Sequence, residues 1–199
     1  GGKVFARRTD VSDRTDIALA ATEVEAALGK VHLVFNNAGV EIGGTRLEDV
    51  TEAEWDWIVG VNVFGVIHGI RYFMPLLRKH GEPAHIVNTA SLAGFWVNPN
   101  FRLGPYATTK YAVVAMTEAL EQDVAGSNIG VSVLCPGAVN TQIHASGRNR
   151  PVRFGGAYER GGAESLRAAL AQGLTGEQVG ERVLQGIRDG ELYIFTHAA

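Results

Sequence analysis

The sequence predicts a doubly wound α/β fold, a parallel sheet covered on both faces by helices. Three observations predict it. Short, nearly continuous apolar runs recur and stop in polar turns, and helical stretches with their own start signals lie between them. Glycine and proline, 25 and 6 of 199 residues, fall as punctuation rather than in one flexible tract. At roughly 150 residues per domain, the length favours a single unit over two. No linker, internal repeat or low-complexity segment stands out.

The first apolar run, Val31 to Phe35, ends in Asn36-Asn37-Ala38-Gly39, as expected of a strand buried on both faces that stops in a turn. Thr51-Glu52-Ala53-Glu54 has the spacing of a capping box, and Trp55, Ile58, Val59 and Asn62 follow at helical spacing, predicting a long helix to about Lys79. His85 to Ser91 reads as a second strand. Pro105 fits the first turn of the next helix, whose apolar face continues through Ala112, Ala115, Met116, Ala119 and Leu120. A third strand runs from Val131 to Gly137. Thr175 with Glu177 and Gln178 opens another helix that closes near Gly190, before a last strand at Leu192 to Phe195. Ligands of such sheets bind beyond the carboxyl ends of the strands, where Asn37, Ser91 and Pro136-Gly137 fall together.

Composition narrows the function. Hydrophobic residues make up 46% and charged residues 20%, which excludes a disordered chain. Lys plus Arg 18 against Asp plus Glu 21 leaves a net charge of -3, too balanced for a grip on nucleic acid to be the main activity. The single Cys135 allows no intrachain disulfide and no CxxC pair, which fits a reducing compartment. The longest apolar stretch, Ile58 to Ile67, is short of the ~18 residues that span a bilayer, and the start has no basic-then-apolar signal, so the expectation is a cytoplasmic protein without a membrane partner. The histidines show no pair at i,i+3 or i,i+4 spacing, and no metal site is expected.

Tyr106 and Lys110 are four apart on one predicted helix, so their side chains share a face about one turn apart. A phenol with an ordinary pKa near 10 is a poor base at neutral pH, and lowering it by ~3 units takes about 4 kcal/mol of preferential stabilisation of the phenolate. Lys110 is positioned to supply much of that. The pair alone is equally compatible with an ordinary amphipathic surface.

Asn36-Asn37-Ala38-Gly39 at a strand end, Asn62 in the next helix, Ser91 after the next strand, Tyr106 and Lys110 on the following helix, and Pro136-Gly137-Ala138-Val139-Asn140-Thr141 after the strand beyond occur in one order. That order resembles the short-chain dehydrogenase/reductase family over essentially the whole chain. The resemblance implies a Rossmann-type fold and an enzyme that transfers hydride between NAD or NADP and an alcohol or ketone. It makes Tyr106 the general acid/base, Ser91 a hydrogen-bond partner of the same substrate oxygen, Lys110 the holder of the nicotinamide ribose, and Asn62 the anchor of a water leading to Lys110. Asn37, Ala38 and Gly39 would border the adenosine ribose, Asp10 and Val11 the adenine, and Thr89 and Ala90 the same wall. Pro136, Gly137, Val139 and Thr141 would lie along the nicotinamide end. Phe95, Trp96 and Val97, just beyond Ser91, with Phe154 and Tyr158 in a lid spanning 142–174, predict an apolar pocket for a bulky secondary alcohol or ketone. The long helices from about Glu54 to Lys79 and Pro105 to Ala125 would form the interface of a homodimer or homotetramer.

One family feature is missing. No glycine-rich phosphate turn opens a helix after an initial strand, and Gly1-Gly2 stand before Val4 to Asp10, which reads as the third strand of a 3-2-1-4-5-6 order. The expectation is a single domain, 1–199, lacking its first two strands and ~60 residues at ~30 per βα step. That removes the residue that separates NAD from NADP, and a chain truly without the segment would be inactive. Three rival readings stay open. The run of Arg148, Arg150, Arg153 and Arg160 interleaved with Phe154 and Tyr158 suits a nucleic-acid-binding module; the fold also suits a non-catalytic ligand sensor, or a related epimerase or dehydratase. Ser91 lacks the flanking glycines of a hydrolase nucleophile elbow.

Overall fold

A computed structural model describes residues 2–159 and 164–197. Among them four strands, β1 (Leu33–Asn36), β2 (Ala84–Thr89), β3 (Ile129–Cys135) and β4 (Tyr193–Phe195), form one parallel sheet in chain order. Leu33 pairs with His85, Ala84 with Ile129 and Val133 with Tyr193, so the strands end together at their carboxyl edge. The helices are α1 (Arg14–Leu28), α2 (Glu52–Val59), α3 (Gly65–Lys79), α4 (Gly104–Asp123), α5 (Glu164–Ala171) and α6 (Gly176–Asp189). The α/β class and the four runs read from the sequence are therefore the architecture.

Local signals set the boundaries. Thr51 with Glu54 and Thr175 with Gln178 both form complete capping boxes, Pro105 sits in the first turn of α4, and Gly190 ends α6 in the left-handed conformation at φ 68°. The sequence reading missed α1, whose start is capped by the Asp13 side chain on Thr15 N at 2.8 Å.

Successive residues of β2 point to opposite faces, and the core divides accordingly. On one face Met74 and Leu77 of α3, Leu120 of α4 and Val124 just past its end pack on Val34, Ile86, Ile129 and Val131; on the other Val183 of α6 meets Val87, Leu134 and Ile194. The 52–79 helical run passes a length and hydropathy test for crossing a membrane, with mean hydropathy 1.3. Part of its apolar surface is used within the domain: Leu77 joins the core on β1 and β2, and Trp57 and Ile58 are almost fully buried with Val40 and Ile42.

A chain of polar side chains crosses the first core face. Asn36 Nδ2 donates to Asn88 Oδ1 at 2.8 Å, Asn88 Nδ2 to Thr117 Oγ1 at 3.1 Å, and Thr117 Oγ1 to the Val113 carbonyl at 2.7 Å. Gly69 on α3 makes room for it: a Cβ there would lie 1.9 Å from Asn36 Oδ1.

Two expectations are corrected. Val4 to Asp10 is not a strand, because a ladder needs a neighbour and no strand lies beyond β1 among the described residues. Arg7 ties this segment to α1 instead, through Asp16 at 2.6 Å and Glu23 at 2.9 Å. Nor is β1 buried on both faces. As the sheet edge it leaves Leu33 and Phe35 more than 40% exposed, beside an apolar groove of about 270 Å³ lined by Val11, Ile17, Val24 and Phe73.

Candidate active site

The carboxyl ends of β1, β2 and β3 and the start of α4 meet in a cleft of about 710 Å³. Asn37 and Gly39 come from the turn after β1, Thr89, Ala90 and Ser91 from the end of β2, and Pro136, Gly137, Val139 and Thr141 from the segment after β3. Tyr106 and Lys110 project from α4. The fold thus brings together most of the residues the motifs singled out.

Asn62 lies where α2 passes into α3 through a π turn, Gly60–Phe64, in which Gly65 N bonds back to the Gly60 carbonyl. Its side chain does not face the cleft. Oδ1 accepts from Val40 N at 2.8 Å, and Nδ2 donates to the Val40 carbonyl at 2.9 Å and to Thr109 Oγ1 at 3.0 Å. Thr109 in turn donates to the Tyr106 carbonyl at 2.8 Å. Asn62 therefore fixes the turn after β1 and the first turns of α4 in one frame.

The half-buried Tyr106 phenol hydrogen-bonds with the Ser91 hydroxyl. Lys110 Nζ donates to the Thr89 carbonyl at 2.8 Å and stands 5.5 Å from the centre of the Tyr106 ring. The expected lowering of the phenol is not found. Loss of water around Tyr106 pushes it up to about 12, with the Ser91 bond opposing and the nearby Glu41 carboxylate adding to the rise. Burial likewise brings the Lys110 ammonium down to about 8, with the Cys135 sulfur acting the other way. Desolvation exceeds the mutual attraction because both groups sit in the cleft floor and the ammonium is aimed at a carbonyl rather than at the phenol oxygen.

At the other expected positions the geometry is mixed. Thr89 Oγ1 donates to Asn37 Oδ1 at 3.1 Å, holding two strand ends together. Asp10, Val11 and Ala38 lie outside the main cleft; Val11 and Ala38 line the groove beside β1, with Asn37 shared between the two. Burial pushes the Asp10 carboxyl up, but hydrogen bonds from Ser12 and from Arg153 Nη2 at 2.7 Å outweigh it and leave it below the usual range.

Of the four aromatics assigned to substrate, the cleft includes Trp96 alone. Phe95 turns to the sheet edge, 6.0 Å from the Tyr193 ring and 5.6 Å from that of Phe195. Phe154 packs against the cluster of Val40, Ile42, Trp57 and Ile58, and Tyr158 meets Trp57 edge-on at 6.4 Å. The arginines of that segment are used internally. Arg150 lies over both Trp57 and Tyr158, Arg153 pairs with Asp10, and Arg148 holds the Gln142 and Ala145 carbonyls; Arg160 is outside the described residues.

The apolar wall opposite includes Val97, expected from the sequence beside Trp96, and residues that sequence reasoning missed: Phe101 and Leu103 before α4, Leu166 and Leu170 of α5, and Val179 of α6. The Leu166/Leu170 spacing is the one signal that placed two of them on a common face. Glu41, 4% exposed, was also missed. Away from the cleft the fold gathers His32, His80 and Glu82, which sequence spacing does not reveal. His80 engages the Val31 carbonyl and Glu82 N, and the Glu82 carboxylate holds His32 at 2.7 Å as well as Lys30.

The family model described as short chain dehydrogenase matches residues 1–151. The chain is 36% identical over 192 residues to a C alpha-dehydrogenase of Sphingobium sp. strain SYK-6, covering 94% of this chain and 62% of that protein. It is 34% identical over 164 residues to a diacetyl reductase [(S)-acetoin forming] of Staphylococcus aureus, covering 82% and 62%. It thus spans a little over three fifths of the length of these relatives. A short chain dehydrogenase/reductase from Burkholderia phymatum, solved in complex with NAD, superposes with a TM-score of 0.93 at 40% identity, over 99% of this chain and 72% of that one. With the site's geometry and these similarities in hand, the chain is a member of the short-chain dehydrogenase family.

Proposed function

We propose that this chain is the catalytic part of an NAD- or NADP-dependent oxidoreductase that interconverts a secondary alcohol and its ketone. The observation that carries the reading is the convergence of Tyr106, Ser91 and Lys110 on one wall of a cleft at the carboxyl edge of a parallel sheet. The cleft also fits the nicotinamide ribose end of the cofactor. Gly39 lacks the Cβ that would come 3.5 Å from Lys110 Nζ and 3.6 Å from Asn62 Oδ1, and so leaves room above the ammonium. Lys110 and Asn37 would hold ribose hydroxyls, and the 136–141 segment would pack along the carboxamide. Asp10 and Val11 would border the adenine.

When bound, the dinucleotide supplies the hydride acceptor or donor. Tyr106 handles the proton. In the ketone-to-alcohol direction the phenol O–H gives its proton to the carbonyl oxygen as carbon gains hydride, and a phenol held near 12 is in the form this step needs. In the reverse direction the same oxygen takes the hydroxyl proton while the C–H bond yields hydride, and the Lys110 ammonium offsets the cost of the phenolate. Ser91 hydrogen-bonds the reacting oxygen, and Asn62 keeps the Tyr106 turn in register. The walls of Trp96, Val97, Phe101, Leu103 and Leu170 favour a bulky, largely apolar substrate, with 142–174 as its lid. Phe64 and Tyr111, exposed on the long helices, lie where a second subunit would dock.

The test is a screen of alcohols and ketones with NAD and with NADP on the full-length protein, following nicotinamide absorbance. Tyr106→Phe should lower kcat by about 10³. Undiminished turnover in that variant overturns the proposal.

A further inference from the structure

At the amino ends of β1 and β2, the sheet edge opposite the cleft, three side chains with metal-ligand chemistry converge. His32 precedes β1, His80 follows α3, and Glu82 lies in the turn that leads to β2. One nitrogen of each imidazole and one oxygen of the carboxylate all lie within 4.8 Å of one another, and the two ring centres are 4.5 Å apart. A four-coordinate Zn²⁺ with ligands at ~2.1 Å needs them about 3.4 Å apart, so the trio closes on an ion by small side-chain turns. His32 and Glu82 have that freedom, with side chains 45% and 46% exposed. The hydrogen bonds of His80 already have the polarity such a site needs. The Val31 carbonyl can only accept, so His80 donates Nε2–H to it at 2.8 Å and keeps its lone pair at Nδ1, which faces Glu82 N at 3.1 Å. A carbonyl on the far N–H of a ligating imidazole is the outer support that fixes its ring. Glu82 is anchored as well, because Asn128 Nδ2 donates to its backbone carbonyl at 2.6 Å.

We propose that His32, His80 and Glu82 form a Zn²⁺ site that ties the start of β1 to the end of α3 and the entry to β2, with water completing the coordination. Every ligand group has a partner in the protein, so binding is an exchange of cations. His32 Nε2 and Glu82 Oε2 meet at 2.7 Å across one proton, and the metal takes the place of that proton, which leaves to solvent or moves to His32 Nδ1. At His80 the metal displaces the Glu82 N–H, which passes to water in the turn. Lys30, bonded to Glu82 Oε1, is the competing ammonium, and with a side chain 57% exposed it can swing out. Two imidazole nitrogens and one carboxylate oxygen suit a borderline transition-metal ion, whereas Mg²⁺ and Ca²⁺ take oxygen ligands. His32 and Glu82 are 50 residues apart in the chain, so spacing along one helix does not disclose the site. It lies away from the cleft and is independent of the oxidoreductase reading.

The test is a calorimetric titration of the tag-free, full-length protein, first stripped with a chelator, with ZnCl2. One equivalent should bind with a Kd on the order of 10 μM. His32→Ala, His80→Ala and Glu82→Gln should each weaken binding by at least about tenfold. Lys30→Met should tighten it, by up to about fivefold, the worth of an exposed ion pair. A cluster that only holds the fold together would not respond in that direction, since there the loss of Lys30 removes a partner and gives nothing back. Zn²⁺ should raise the Tm of the wild type and leave that of Glu82→Gln unchanged, and Mg²⁺ at the same concentration should raise neither. His32→Ala and Glu82→Gln alter side chains that are nearly half exposed, and their circular dichroism should match the wild type. No Zn²⁺ binding by the wild type, or affinities within twofold of it in both of these folded variants, overturns the inference. Either result leaves the oxidoreductase reading standing, because no step of that chemistry passes through this cluster.

Discussion

Asn62 and Val40 form a two-point clamp, with the Asn62 amide accepting from Val40 N at 2.8 Å and donating to its carbonyl at 2.9 Å. The side chain stands in for a neighbouring strand at a place where the backbone has left the sheet. Asn62→Leu would orphan both Val40 groups in a buried setting at about 1–3 kcal/mol each. We expect a loss of about 3 kcal/mol in urea unfolding at unchanged m, together with a fall in kcat as the Tyr106 turn loses its support through Thr109. Wild-type stability in that variant would show that the clamp is dispensable.

Lys110 and Tyr106 give the protein a defined response to alkali. Lys110 is brought from its ordinary 10.5 to about 8 in the folded protein, so between those values the unfolded chain binds more protons and stability rises with pH. Tyr106 is moved from 10 to about 12, so above pH 10 the folded state binds more protons and stability falls. Without added dinucleotide, unfolding free energy should gain about 1–2 kcal/mol from pH 8 to 10 relative to Lys110→Met and the difference should level off above 10.5, while both proteins lose stability above pH 10 through Tyr106. Parallel curves for the two proteins would contradict this.

Acid should act through His85. Ser132 Oγ donates to the Glu191 carbonyl at 2.6 Å, which leaves its lone pair to take the His85 Nε2 proton at 2.8 Å. Burial holds the imidazole below its ordinary 6.5, and Gly130 packs against the ring closely enough that a Cβ would lie 2.3 Å from Nδ1. The unfolded chain therefore takes up a proton first, and stability should decline as pH falls below 6.5, by at most ~1.4 kcal/mol per pH unit from this group. The slope should flatten in His85→Gln, as read from unfolding midpoints between pH 7 and 5.

Gly69 is a steric requirement rather than a conformational one. Its φ is ordinary for a helix, but Asn36 fills the space a Cβ would need. Gly69→Ala, which improves helix propensity on an open surface, should here break the Asn36–Asn88 bond and destabilise by the upper end of ~1–3 kcal/mol. Thermal unfolding decides it: an unchanged or raised Tm contradicts the packing argument.

The sequence by itself determined the strands and most helices, because each carries a local signature. Alternation of apolar runs with polar turns marked β1 to β4, and Thr51/Glu54, Pro105 and Thr175/Gln178 marked where α2, α4 and α6 begin. The Tyr106–Lys110 spacing and the motifs after each strand likewise placed the chemistry at one sheet edge. Tertiary structure decided what depends on partners distant in the chain. Val4 to Asp10 has strand-like residues but no neighbour to pair with; Phe95, Phe154 and Tyr158 are aromatic near the site but find better packing elsewhere; and burial, invisible in spacing, moved Tyr106 opposite to the direction its neighbour's charge predicted. Glu41 entered the cleft for the same reason, since only the folded chain brings Gly43, Leu103 and Tyr106 around it.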